Sequence, residues 1–194
     1  GSANITVANE SIYLTQDFNN ERTFAMLMAE RLVAEVQMKN NMVPIKSISG
    51  HGIRLSDEQE TAVLTALHRN TCIVSGGPGT GKTTVLKTFL DMYIKLYGHG
   101  KGILLCAPTG RAARRMAEAT GYEAFTIHRA FMLGSDGDPL STQKTDYDLI
   151  IVDEFSMSDQ WVSTAMLTMI RQDTTLVCVG DAVQPRRAGP ASVV

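Results

Sequence analysis

Three features of the sequence predict an α/β domain built on a parallel sheet with helices on both faces. Short apolar runs recur at 71–75, 102–107, 148–152 and 176–179. Stretches whose apolar residues fall at helical spacing separate them. The runs themselves do not alternate polar and apolar residues, and a strand apolar on both sides must be buried on both sides. That is the situation of a parallel strand between two helical layers.

The elements follow in order. Residues 1–50 read as a small N-terminal helical appendage and linker, and 51–194 as the main domain. Within the appendage, Ile12-Tyr13-Leu14 suggests a short strand. Phe24, Leu27, Met28, Leu32 and Val36 form a helical stripe across 20–38, and the polar, Pro- and Gly-containing stretch 40–52 reads as the linker. Helices are expected at 57–68, 82–96, 111–119 and 159–171. The second places Leu86, Phe89, Leu90, Tyr93 and Ile94 on one face, with Gly98 as its stop. Residues 134–146, rich in Gly, Asp, Ser and Thr, read as an exposed loop.

Composition narrows the class. A chain of 194 residues suits one domain, or one domain with a short extra element, and can bury a core without staples. The formal net charge of -2 means that any nucleic-acid surface is a local patch, not a basic domain. Cys72, Cys106 and Cys178 lack metal-ligand spacing and lie in strand-like runs, so they read as buried thiols of a reducing compartment. No apolar run is long enough to span a membrane and no signal-peptide pattern opens the chain, so a cytoplasmic location is expected. Gly1-Ser2 reads as a cloning remnant.

The strongest local signal is Gly76-Gly77-Pro78-Gly79-Thr80-Gly81-Lys82-Thr83, a complete G-x-x-x-x-G-K-[ST] pattern. An apolar strand enters it and an amphipathic helix leaves it. Its glycines let backbone N–H groups and a helix N-terminus wrap a polyphosphate. Lys82 supplies a cation to the β- and γ-phosphates, the Thr83 hydroxyl would ligate Mg²⁺, and Thr84 completes the binding stretch. A second signal is Leu149-Ile150-Ile151-Val152-Asp153-Glu154, an apolar strand ending in two carboxylates. Ligands of open α/β sheets bind at the carboxyl ends of strands. There Asp153 would hold Mg²⁺ and Glu154 would act as general base toward water. Taken by itself, Asp-Glu could equally cap the next helix.

Further motifs, in order, resemble those of the RecD-like group of superfamily-one DNA helicases, the exodeoxyribonuclease V alpha-subunit family. Leu55-Ser56-Asp57-Glu58-Gln59 resembles the adenine-reading motif, with Gln59 on the base. Ala107-Pro108-Thr109-Gly110-Arg111-Ala112-Ala113 and Thr126-Ile127-His128-Arg129 resemble the segments lining the single-stranded DNA path. Asp153-Glu154-Phe155-Ser156-Met157 and Gly180-Asp181-Ala182-Val183-Gln184 resemble the Mg²⁺ and γ-phosphate-sensing motifs. The resemblance covers the chain from about Leu55 onward.

Each motif also has a plainer reading. Ser56-x-x-Gln59 is a helix capping box, and one Gln59 side chain is not expected to fill both roles. Arg111, Arg114 and Arg115 could form only the solvated face of a helix, although their place after a loop at a strand's carboxyl end favours phosphate contact. His128 could be a core histidine and Gln184 a loop residue. After Gln184 the chain departs from the family, with Pro185-Arg186-Arg187-Ala188 where Leu-Pro-Ser-Val is usual.

What the resemblance implies is a RecA-like P-loop NTPase fold, ATP and Mg²⁺ as ligands, and Lys82, Glu154 and Gln184 in catalysis. It also implies single-stranded DNA on Thr109, Arg111 and His128, 5′ to 3′ movement and a role in recombination or repair. The other partners implied are a second RecA-like lobe, expected to lie outside this sequence, and possible exonuclease-complex subunits. Without that lobe, ATP binding with little or no turnover is expected. Competing readings are a nucleotide-gated binding module, a phage or conjugative helicase of the same superfamily, and an AAA-type ATPase completed by oligomerisation.

Overall fold

The structure is a computed structural model and describes residues 5–8, 11–33, 55–98 and 102–181. The chain opens with an antiparallel hairpin of β1 (Ile5–Ala8) and β2 (Ser11–Leu14), which runs directly into helix α1 (Thr15–Val33). The main domain then alternates: α2 (Asp57–His68), β3 (Thr71–Ser75), α3 (Lys82–Tyr97), β4 (Ile103–Ala107), α4 (Gly110–Thr120) and β5 (Ala124–Thr126). It continues with α5 (Ile127–Ala130), β6 (Leu149–Val152), a 3-10 turn (Phe155–Met157), α6 (Gln160–Met169) and β7 (Thr175–Gly180).

Strands β3, β7, β6, β4 and β5 lie side by side in that order, all parallel. The expected sandwich is present, and side-chain alternation divides it into two cores. Leu105, Leu149, Ile151, Val177 and Val179 meet α2, α3 and α4 through Val63, Leu86, Phe89, Leu90 and Met116. Leu104, Cys106, Ile150, Val152, Leu176 and Cys178 meet α1, α5 and α6 through Met28, Ile127, Val162 and Met166. All four residues of β6 are fully buried. Each such aliphatic side chain contributes about 1.5–3 kcal/mol by leaving water, so the strand that delivers Asp153 and Glu154 is the most firmly held.

Most element positions agree with the sequence reading, and the differences have physical causes. Helix α1 starts at Thr15, five residues earlier than its apolar stripe, because β2 hands the chain straight to it. Position 36 of that stripe and the linker 40–52 lie outside the described residues. Helix α6 is shorter than 159–171: Asp159 is its N-cap, its carboxylate accepting from the Trp161 N–H at 2.7 Å. The short β5 and α5 carry too few residues to show a period and were not anticipated.

Helix α1 packs against α6 and is tied by a buried charge to the turn between α6 and β7. Arg31 is 4% exposed and donates through Nη1 to the Arg171 carbonyl (2.9 Å) and through Nη2 to the Thr174 carbonyl (2.6 Å). Burial lowers its pKa below the usual guanidinium range. The appendage thus contributes Met28 and Arg31 to the body of the domain. No helix among the described residues is long and apolar enough to cross a membrane.

Candidate nucleotide-binding site

The parallel register sets the site. Side by side, the strands present their carboxyl ends along one edge, where ligands of such sheets bind. From β3 comes the glycine-rich loop, from β7 Asp181, and from β6 Asp153 and Glu154. From β4 comes Thr109, and from β5 Thr126 with His128.

The loop is shaped by two contacts that demand glycine. Gly81 has φ +82, and a Cβ there would sit 2.4 Å from Gln59 Nε2. A Cβ on Gly76 would sit 2.6 Å from Thr80 Oγ1. The cradle is therefore as tight as a phosphate-wrapping backbone requires. The loop is also tied to the neighbouring strand, Gly76 N–H donating to the Gly180 carbonyl at 3.3 Å. Lys82 opens α3 and its Nζ folds back, donating to the Gly76 and Gly77 carbonyls (2.7 and 2.9 Å) and to Asp181 Oδ1 (2.7 Å).

At the end of β6, Asp153 Oδ1 accepts from the Glu154 N–H at 2.9 Å. Glu154 has φ 51, a left-handed conformation uncommon outside glycine, and it turns the chain sharply into the 3-10 turn. Its carboxylate is paired with the Arg115 guanidinium, which reaches over from α4. Lys82, Thr83, Arg115, Asp153, Glu154 and Asp181 together line one cleft of about 240 Å³.

Gln59 caps its helix and also contacts the glycine-rich loop. The capping box is fully formed: Gln59 N–H donates to Ser56 Oγ (3.3 Å) and Ser56 N–H to Gln59 Oε1 (3.0 Å). The other end of the same amide, Nε2, donates to the Thr80 carbonyl at 3.0 Å. One side chain thus caps α2 and also holds the glycine-rich loop. The amide has one face for each because oxygen and nitrogen point apart.

The residues expected to meet DNA fall together as well. Ala107 and Thr126 are register partners on β4 and β5, so the two segments leave adjacent strands at the same level. Both threonine hydroxyls are helix caps, Thr109 accepting from Ala112 N–H and Thr126 from Arg129 N–H, each at 3.2 Å. Ile127 is fully buried, His128 is half-buried, and Arg111 is exposed at the start of α4. Gln184, Arg186 and Arg187 lie outside the described residues. Arg115 and Asp181 were missed as site residues. Asp181 is flagged by its place in Gly-Asp-x-x-Gln. Arg115 is flagged only by its place, with Arg111 and Arg114, on the basic helix that follows a strand's carboxyl end.

The three thiols are buried, as expected. Burial raises the pKa of Cys72 and Cys106, and pushes Cys178 up to about 12.

A five-stranded parallel sheet with a G-x-x-x-x-G-K-T loop after β3 and two carboxylates after β6 defines a P-loop NTPase fold. The family model described as an AAA domain matches residues 59–190, and the chain belongs to that family. The RecD-like resemblance also holds. The ATP-dependent RecD2 DNA helicase of Deinococcus radiodurans is 37% identical over 143 residues, covering 73% of this chain and 19% of the relative. The RecBCD enzyme subunit RecD of Mycolicibacterium smegmatis is 35% identical over 154 residues, 66% of this chain and 27% of the relative. The chain therefore spans only 19% and 27% of the lengths of these two relatives. Among solved structures, the UvsW helicase from bacteriophage T4 matches with a TM-score of 0.50 at 13% identity, covering 66% of this chain and 52% of that one, a likeness of fold alone.

Proposed function

We propose that this chain is the first, ATP-binding lobe of a DNA helicase motor of the RecD-like group. The observation that carries the reading is the convergence of Lys82, Thr83, Asp153 and Glu154 on one cleft beside a glycine cradle. Two strands, β3 and β6, supply these residues and the cradle, and a chance glycine turn would not assemble them.

Each group then has a task. The loop N–H groups of 76–84 and the α3 N-terminus hold the phosphates, with Lys82 exchanging its carbonyl and Asp181 partners for phosphate oxygens. Among the described residues no cluster of three or more His, Cys, Asp or Glu could hold a metal. Mg²⁺ takes one or two protein ligands and completes its shell with water and phosphate oxygens. Thr83 and Asp153 are the ligands, Glu154 positions and deprotonates the attacking water, and Gln184 senses the γ-phosphate. Gln59 keeps one Nε2 hydrogen and one Oε1 lone pair unused, so its amide can meet adenine while holding Ser56 and Thr80.

Single-stranded DNA runs over the β4 and β5 end of the same edge, against Thr109, Arg111 and His128. Because the contacts are to backbone phosphates and stacked bases, binding is largely independent of sequence. A second RecA-like lobe completes the ATP site. Movement 5′ to 3′, a place in recombination or repair, exonuclease-complex partners and a cytoplasmic setting rest on the resemblance.

The test is a titration of the chain with fluorescent ATP in Mg²⁺, with and without single-stranded DNA, beside Lys82→Ala. Saturable binding that Lys82→Ala abolishes, and that tightens with DNA, is expected. Binding that survives Lys82→Ala would overturn the site. Binding indifferent to DNA would leave a nucleotide module without a motor's coupling.

A further inference from the structure

Arg115 is the cation of the cleft that the roles above leave unused. It lies on α4, four residues after Arg111, so the two share one side of the helix. Their neighbour Arg114 is turned away and pairs with Glu118 along the helix at 3.5 Å. Arg115 instead reaches across to Glu154, and both residues line the cleft with Lys82 and Asp181.

The cleft therefore holds two cation–carboxylate pairs, Lys82 with Asp181 and Arg115 with Glu154. The carboxylate of Asp153 is left over from these pairs, so the cleft as a whole is acidic. A polyphosphate entering with Mg²⁺ brings both an anion stronger than a carboxylate and a cation that carboxylates prefer, so both pairs can exchange partners.

We propose that Arg115 is a terminal-phosphate contact, parked on Glu154 until ATP arrives and then drawn to the γ-phosphate. The proposal rests on the nucleotide-site reading above. A general base and the phosphorus it serves are separated by one water, roughly two hydrogen-bond lengths. A guanidinium resting on the base is therefore already within side-chain reach of the terminal phosphate. Arg115 is 60% exposed, so its side chain can swing without moving the backbone. Guanidinium geometry matches phosphate oxygens two at a time. The exchange frees the Glu154 carboxylate for water only when a γ-phosphate is present. ADP, which lacks that phosphate, leaves the pair closed. Arg115 thereby couples recognition of ATP to release of the base, and it does so from the helix that also bears Arg111.

The experiment compares the wild-type chain with Arg115→Gln, Arg115→Lys and Arg114→Gln. Each is titrated with Mg²⁺ and either a non-hydrolysable ATP analogue or ADP, and thermal melting checks the fold. The expected result for Arg115→Gln is a loss of about tenfold in affinity for the ATP analogue. ADP affinity and melting temperature should stay unchanged. Arg115→Lys should recover part of the loss, and Arg114→Gln should bind both nucleotides as wild type does. Equal losses for both nucleotides, or none, would overturn the proposal. If the wild-type chain bound neither nucleotide, the site reading itself would fail and this proposal with it. Loss of the ATP preference alone tests Arg115 and leaves that reading standing.

Discussion

Replacing Gly81 by alanine tests how the phosphate loop is held. Two costs can be worked out from the structure. The first is conformational: φ is +82, where an L-residue is disfavoured by roughly 1–2 kcal/mol. The second is steric, because the new Cβ would lie 2.4 Å from Gln59 Nε2. Gln59 must then retreat and release the Thr80 carbonyl it holds at 3.0 Å, a hydrogen bond worth about 1 kcal/mol. Gly81→Ala should therefore destabilise the chain by about 2–3 kcal/mol. Urea denaturation measures this as a lower midpoint with an unchanged slope. The decisive comparison is made in a Gln59→Ala background. There the clash and the lost bond no longer exist, so Gly81→Ala should cost only its conformational part. A coupling of about 1 kcal/mol between the two positions is the expected outcome. Equal costs in both backgrounds would refute the clamp, and a neutral Gly81→Ala would refute the conformational argument as well.

Two further predictions concern the body of the domain. Arg31→Ala removes two bonds from a guanidinium to buried carbonyls, partly offset by relief of its desolvation, and should lower stability by about 2–4 kcal/mol. An unchanged denaturation midpoint would mean that α1 is not anchored there. Alkaline pH should weaken the fold. Burial pushes Cys178 from 9.0 and Tyr93 from 10.0 up to about 12, and raises Cys72 and Cys106 as well. In the unfolded chain these groups ionise near their ordinary values while the folded protein keeps their protons. Their contribution is thus complete below about pH 9 and is lost as the pH climbs toward about 12. A melting temperature that holds steady or rises across that window would contradict the assignment.

The sequence by itself determined the layered α/β architecture and the two chemical poles of the site. Uninterrupted apolar strands such as 149–152 can only be buried on both faces, and glycine spacing in 76–83 serves few purposes besides phosphate binding. These are properties of consecutive residues, so local reading captures them. The tertiary structure alone decided which distant groups meet. Gln59 reaches Thr80 because α2 and the loop after β3 are brought together at the same end of the sheet. Arg31 enters the core because α1 lies along α6, although its own neighbours give a charged residue no reason to be buried. Arg115 meets Glu154 because β4 and β6 are adjacent, so the helix after one overhangs the turn after the other. Pairings of this kind depend on strand order. Strand order is set by the packing of the whole sheet, and no stretch of sequence a few residues long contains it.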